Sequence, residues 1–539
     1  METSDFDRKW EKLAEEVLSG MKEWRVQHPQ ATLSEMEAAL DKRLNRMRAR
    51  MLEDMALASR VANLKEAEAE ARPRCSHCGE PLVSRGKGKR RIQTNGGEDI
   101  NLERSYGVCP KCKVGFSPLD EELELLPGSL TPRLQDDLTH LATWMPFEKA
   151  RGMLERMRGV EVSEATVRRR TESNGAAYVA LQEAEVGRIE EELPDAPAGP
   201  DKQLLSVDGA MVPLVRGEWA EVKTLVLGVI GEPVIEGGEQ KVHASELSYF
   251  SRLMKADEFT RLALVETHRR GVENAGQVIA VTDGAEWEQG FIDYHRADAV
   301  RILDFPHAAE YVGKIGAAVW GEETPEAKKW LENQLKCLKH QGPTQVLPEL
   351  RTLVEAHPET PDLESWLAYL EKRESHMQYP TCQEQGWPMG SGAVESGNKL
   401  VVEARLKGSG MHWAREHVNP MLGLRNVVCS DRWDDAWDQI GDYQIQQAQK
   451  RRQIRREQHL AALSKALSDN NSLPIVDSPP HLDAVEPAPA PASTPSVETT
   501  EVTTQAKQPW RPPPDHPWRR RPACTPSRWS RSRSADAKK

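Results

Sequence analysis

Hydrophobic periodicity changes several times along the chain, and each change marks a boundary. Over residues 1–71, Leu13, Val17, Met21 and Trp24 recur at helical spacing, as do Met36, Leu40, Leu44 and Met47, with charged residues between them. That pattern predicts an amphipathic helical region suited to packing or dimerisation. Direct DNA contact by Arg43, Arg46, Arg48 and Arg50 is the other reading. Pro73 ends the helix, and residues 72–127 turn β-like around Arg91–Thr94 and Ile100–Gly107. From 128 to 193 the period is helical again. Leu134, Leu138 and Leu141 mark one helix, Met145–Glu155 a second, and Ser163 N-caps a third.

After the Pro- and Ala-rich linker Pro194–Pro200, apolar runs at 204–207, 222–230, 278–281 and 299–305 read as strands. Helical stretches near 255–269 and 286–294 lie between them, so 200–310 is expected to be a mixed sheet flanked by helices. Between 311 and 385 the strand signal disappears, and Trp320, Trp330, Leu335, Leu350, Leu353, Trp366 and Leu370 sit in helix-like segments. This reads as an all-helical insertion, with the sheet domain completed by 386–437. A polar helix over 438–468 follows, and the Pro-, Ser- and Thr-rich tail 469–539 is expected to be disordered. The fold class is thus multidomain α+β.

With 539 residues the chain has room for several cores. Its formal net charge of −12 argues against unselective nucleic-acid binding, yet from Lys507 to Lys539 ten Lys or Arg face two Asp, a local +8. No apolar run reaches membrane-spanning length. The start, Met1-Glu-Thr-Ser-Asp, lacks a basic-then-apolar signal, so a cytoplasmic location is expected.

Four of the eight cysteines form two Cys-x-x-Cys pairs, Cys75/Cys78 and Cys109/Cys112, with 30 residues between the pairs. Each turn offers two thiolates on one side, and two such turns close a tetrahedron around zinc. Arg85–Arg91 reads either as a solvated loop of this ribbon or as a phosphate-contacting arm. The short turn before Ser163, followed by Arg168, Arg169 and Arg170, looks like a helix-turn-helix.

The remaining chemistry is acidic. Asp208 and Asp283 share a grammar: a Val-, Ile- and Leu-rich run, then Asp, then Gly. Asp-Gly by itself commonly just closes a turn after a strand. Glu395 lies in Gly390-Ser-Gly-Ala-Val-Glu-Ser-Gly-Asn-Lys, which reads as a turn opening a helix. Carboxylates brought together at the rim of a sheet cannot all stay ionised without a cation between them. Oxygen ligands favour magnesium or manganese, and a carboxylate-bridged metal pair suits in-line displacement at phosphorus.

With the zinc-ribbon ending Cys109-Pro-Lys-Cys112-Lys-Val-Gly-Phe, Ser206-Val-Asp-Gly-Ala, Val281-Thr-Asp-Gly-Ala-Glu-Trp, Leu303-Asp-Phe-Pro-His-Ala-Ala-Glu-Tyr, the Glu395 segment and Gly408-Ser-Gly-Met-His-Trp in order, residues from about Cys75 to Trp437 resemble DDE transposases of bacterial insertion sequences. The likeness is to the Kra group, related to the Mutator-like and hAT-like branch. The resemblance implies a ribonuclease H-like core with Asp208 on the first strand, Asp283 ending the fourth and Glu395 on a helix after the insertion. It implies catalytic Mg²⁺ (or Mn²⁺) held by Asp208, Asp283 and Glu395, and a structural Zn²⁺ on the four cysteines. Asp304-Phe-Pro-His307 matches the branch's (Cys/Asp)-x-x-His signature, which would bring His307 near the scissile phosphate. The implied partners are DNA, as terminal inverted repeats and target, and further copies of the chain in a dimer or larger assembly near the nucleoid. Arg168, Arg169, Arg170 and Lys399 are candidate DNA contacts. Trp413 either stacks on a displaced base or packs in the core. Lys399, Arg405 and Lys407 either line the DNA path or form a solvated face. Two other functions share the motifs: a non-catalytic DNA-binding regulator, and a structure-selective nuclease.

Overall fold

The computed structural model describes residues 3–65, 72–75, 78–237 and 239–468. The tail expected at 469–539 lies outside the described residues.

The N-terminal region is a pair of helices, Thr3–Gln27 and Leu33–Leu57, followed by a short 3₁₀ turn at Arg60–Ala62. A single helical reading across 1–71 therefore misses a break. Pro29 cannot continue the first helix, and Thr32 with Glu35 opens the second through a capping box.

Strands β1 (Val83–Gln93), β2 (Asp99–Val108) and β3 (Gly115–Phe116) form an antiparallel three-stranded sheet. Arg85–Arg91 is neither a loop nor an arm; it is the body of β1, and Arg90 donates to Asp120 and to the Leu126 and Gly128 carbonyls. Three helices follow, Pro132–Trp144, Phe147–Arg158 and Glu164–Glu192. The third begins at Ser163, whose hydroxyl accepts the Thr166 N–H at 3.2 Å. At 29 residues it is much longer than a short reading helix, because its later turns, including Ala177, Tyr178 and Val186, are buried against the sheet domain and the C-terminal helices.

The sheet domain contains β4 (Lys202–Pro213), β5 (Trp219–Ile230), a side hairpin of β6 (Val234–Glu236) and β7 (Glu239–Lys241), β8 (Ala244–Arg252), β9 (Gln277–Thr282) and β10 (Val300–Leu303). The main sheet has the order β10-β9-β4-β5-β8. β4 pairs antiparallel with β5, and β5 with β8; β9 joins β4 in parallel, and β10 joins β9 in parallel. β8 was not legible as a strand, since buried Ser248 and Ser251 interrupt its apolar pattern.

Alternation along the strands separates the sheet faces. Leu205, Val207, Val278 and Ala280 pack on Phe259, Phe291 and Ile292. Leu204, Ile279, Val281 and Ile302 pack on the opposite side against five inserted helices spanning Phe305–Trp320, Pro325–Gln341, Pro343–Glu355, Leu363–Lys372 and Tyr379–Gln385. Farther along β4, Ala210 and Val212 share that second face but meet Val394, Val402 and Leu422. Asp208 has the same parity, so the pleat sets it between the insertion and the segment carrying Glu395.

That segment is a helix, Gly392–Gly397, continuing into wider π-helical turns at Asn398–Glu403. π-turns leave carbonyls without their usual partners. Arg425 fills them, donating to Val401 O at 3.2 Å and to Leu400 O, and reaches Thr143 O at 3.3 Å. Arg405, 1% exposed, donates to Ala142 O at 3.0 Å. The two guanidiniums thereby satisfy terminal carbonyls of the Pro132–Trp144 helix. They tie it to the Glu395 segment, and burial pulls Arg405 down to about 10. Arg405 accordingly belongs neither to a DNA path nor to a solvated face.

A final helix spans Trp433–Ser468. No described helix is long and apolar enough to cross a membrane.

Candidate metal centres

The four paired cysteines converge. Cys75, Cys78, Cys109 and Cys112 have sulfurs within 4.8 Å of one another, and Cys78 Sγ is 3.4 Å from Cys109 Sγ. A tetrahedral zinc–thiolate site needs sulfurs about 3.8 Å apart. The two turns use the same backbone device. Gly79 N–H donates to Cys75 O and Lys113 N–H to Cys109 O, both at 2.9 Å, and both Gly79 and Lys113 have positive φ (73° and 59°). Each turn curls back so that its two thiols face one way. Burial and the adjoining thiols push Cys112 up to about 12, the state a bound dication reverses by supplying the missing positive charge. The donor set fits zinc.

The second centre is carboxylate. Asp208 stands in the interior of β4, not at its end, and the strand runs on through Gly209 to Pro213. Asp283 does end its strand, immediately after β9, and Gly284 turns the chain at φ +84° into helix Glu286–Arg296. On that helix sits Glu288, 1% exposed, whose carboxylate accepts the Gly284 and Ala285 amides at 3.0 and 3.1 Å. Ligand oxygens of Asp208, Asp283 and Glu288 lie within 4.8 Å of one another.

Glu395 is not a member of this tight set. It is exposed and takes a 3.2 Å hydrogen bond from Ser391 Oγ, while its charge still reaches Asp208. Glu288 is the residue sequence reasoning missed; it lies one position beyond the quoted Asp-Gly-Ala-Glu-Trp stretch, five residues after Asp283. Its available signal was the acidic third position of a helix opening just after the Asp-Gly turn.

The electrostatics are those of a site short of positive charge. Burial raises Asp208 above its ordinary range, with the Asp283 and Glu395 charges adding to it. Burial and a hydrogen bond with Asp283 push Glu288 up to about 10. Asp208 Oδ2 accepts Asn398 Nδ2 at 2.8 Å, and Asp283 Oδ1 accepts the Ala285 amide at 2.9 Å. An all-oxygen set of this kind fits a hard divalent cation.

A surrounding layer fixes these groups. Asp304 is 4% exposed and caps helix Phe305–Trp320 by accepting the His307 amide at 3.0 Å, while its other oxygen accepts the Ser391 amide at 2.6 Å. It joins the start of the insertion to the turn before Glu395. The His307 imidazole makes no hydrogen bond among the described residues; it lies 5.5 Å from the Tyr311 ring and 6.2 Å from that of Tyr369. From the insertion, Tyr369 donates to Asp283 O, and Arg373 donates twice to Gly284 O, at 3.0 and 2.6 Å. A Cβ on Gly284 would lie 2.5 Å from Arg373 Nε, so that position needs glycine.

Of the other candidates, Arg168, Arg169 and Lys399 are exposed. Arg170 is half-buried against Gly128. Trp413 is 7% exposed, lies edge-on to Phe147 and donates its indole N–H to Leu406 O at 3.2 Å. That burial decides between its two readings: Trp413 is a core residue with no face left for a base.

No protein-family model matches the chain, and comparison with curated proteins gives no match.

Proposed function

We propose that the protein is a DDE-type transposase that binds the terminal repeats of its element and carries out metal-dependent cleavage and strand transfer of DNA. The observation that carries this reading is the acidic centre on β4 and after β9, with a helix bearing Glu395 beside it. The ribonuclease H-like reading of the core is supported by strand order and sense. The first three strands of the main sheet pair antiparallel in sequence order, and the fourth and fifth add in parallel on the other side of the first.

Asp208 and Asp283 are the candidate ligands for divalent cations, which when bound would activate the attacking hydroxyl and steady the leaving oxygen. Glu288 closes the set from the buried side, and Glu395 stands on the open side, where substrate enters. Asn398 orients Asp208. His307, with its imidazole unengaged, is positioned to meet a phosphate oxygen. The cysteine ribbon is a structural zinc module, and the exposed start of helix Glu164–Glu192, with Arg168 and Arg169, is the candidate base-reading edge.

Incubating the full chain with the element's own ends and Mg²⁺, then mapping cut and joined strands, tests the proposal. Nicked and joined products that vanish in Asp208→Asn support it. Binding without any cutting favours the non-catalytic regulator, and cutting without joining favours the nuclease.

A further inference from the structure

Away from the acidic centre, positive charge gathers around a cleft of about 90 Å³ where the N-terminal helices, the ribbon and the following helices meet. Its walls carry Arg48, Asn95, Thr131, Arg133, Asp137 and Arg158. The one carboxylate is balanced in charge: Arg158 Nη2 donates to Asp137 Oδ1 at 3.1 Å, and Arg158 Nε lies 2.9 Å from Asp137 Oδ2, which accepts no hydrogen bond among the described residues. Arg48 spends one N–H on Thr94 Oγ1 at 2.7 Å, and Arg133 has no partner among the described residues. Two guanidinium charges therefore stand uncompensated around one small space. Backbone donors add to them. Pro132 has no N–H, and the Thr131 side chain makes no capping bond, so the Arg133 and Leu134 amides lack partners within their helix.

The walls are preformed. Gln93 N–H donates to Ser129 O at 2.7 Å and Thr131 N–H to Gln93 O at 3.1 Å. The hairpin tip presses so closely on its neighbours that a Cβ on Gly97 would lie 2.4 Å from Gly159 O, and one on Gly96 2.3 Å from Asn45 Cγ. Gly159 is four residues before Ser163, where the helix bearing exposed Arg168 and Arg169 begins.

We infer that this cleft seats one phosphodiester group of duplex DNA and thereby sets the register of the Ser163 helix on its site. A singly charged tetrahedral oxyanion suits two guanidinium charges without a counter-ion and two helix-start amides without partners in their helix. Phosphate contacts of this kind position a protein without reading sequence. The inference rests on the DNA-binding part of the proposed function and needs none of its chemistry.

Arg133→Ala tests it, because an unpaired surface arginine can be removed without disturbing the fold; an unchanged urea midpoint verifies this. Duplex binding by the full chain is followed by fluorescence anisotropy in EDTA over a range of salt, with a terminal-repeat and an unrelated duplex. The expected result is several-fold weaker binding to both duplexes, with a slope of log K against log salt shallower by about 1. Arg133→Lys recovers most of the slope. Equal affinities and slopes for wild type and Arg133→Ala overturn the cleft while leaving DNA binding intact. Failure of the wild type to bind either duplex overturns both. Inorganic phosphate alone is added to wild type and Arg133→Ala in a thermal-shift arm. Stabilisation confined to the wild type, with unchanged DNA slopes, would assign the cleft to free phosphate and overturn the DNA assignment.

Discussion

The loop that carries Asp283 is held by the inserted helices, and cutting that hold should weaken cation binding before it harms the fold. Tyr369 donates to Asp283 O, its ring stacks on Tyr311 at 3.9 Å, and the Arg373 guanidinium lies 3.7 Å from the Tyr369 ring centre while binding Gly284 O twice. Tyr369→Phe keeps both stacking contacts and removes one hydrogen bond, a net loss of about 1 kcal/mol. If all of it reaches Asp283, cation affinity falls roughly 5-fold. Arg373→Met keeps the buried stem but orphans Gly284 O, at about 1–3 kcal/mol, and loses the cation–π contact, at about 1 kcal/mol. If all of it reaches Asp283, the expected weakening is roughly 30- to 700-fold. Terbium luminescence sensitised by Trp287, next to Glu288 in sequence, reads the affinity in DNA-free protein. Far-UV circular dichroism and the urea midpoint read the fold. The reasoning is refuted if both variants keep the wild-type terbium midpoint, since the hydrogen bonds would then contribute nothing to the position of Asp283.

Other outcomes follow from the same structure. Metal analysis of purified protein should find about one zinc per chain. Cys109→Ser should lose it and unfold the ribbon, and full zinc occupancy in that variant would contradict the four-cysteine site. Asp208→Asn should abolish metal-dependent nicking and leave the melting temperature equal or slightly higher, because it removes one of several like charges that burial and Asp283 disfavour; a drop of many degrees would mean the residue is structural. His295 is engaged at both ring nitrogens, with Thr267 Oγ1 at 3.1 Å and Thr260 O at 2.9 Å, and burial lowers it from 6.5 to about 4. The unfolded chain binds that proton first, so stability is full above pH 6.5 and falls as pH drops toward 4, by about 3 kcal/mol. His295→Gln should flatten that part of a urea-midpoint-against-pH profile, and an unchanged slope would rule His295 out as its source.

How much could be read without coordinates differs from element to element. Strands β4, β5 and β9 were legible because their apolar runs are largely buried on both faces and contain few competing polar residues, and β10 because its short run ends in buried Ile302 and Leu303. The ribbon was legible because Cys-x-x-Cys spacing dictates a turn that offers two sulfurs together. The helical insertion announced itself by the loss of strand-like runs after Leu303. β8 was hidden by its serines, and the N-terminal break was overlooked although Pro29 and the Thr32–Glu35 pair encode it.

The sequence by itself determined which side chains can hold metal, the thiols at 75, 78, 109 and 112 and the acids at 208 and 283, because residue type and local turn chemistry are short-range properties. Only the tertiary structure decided that Glu288, and not Glu395, joins the two aspartates in the tight set. That choice depends on where helix Glu286–Arg296 packs and how far the Gly392–Gly397 helix stands from the sheet, distances set by core packing between residues more than a hundred positions apart. The same packing buried Trp413 and Arg405, readable along the chain as DNA contacts: Arg405 ties the Pro132–Trp144 helix to the segment that carries Glu395, and Trp413 packs against Arg405 and Phe147.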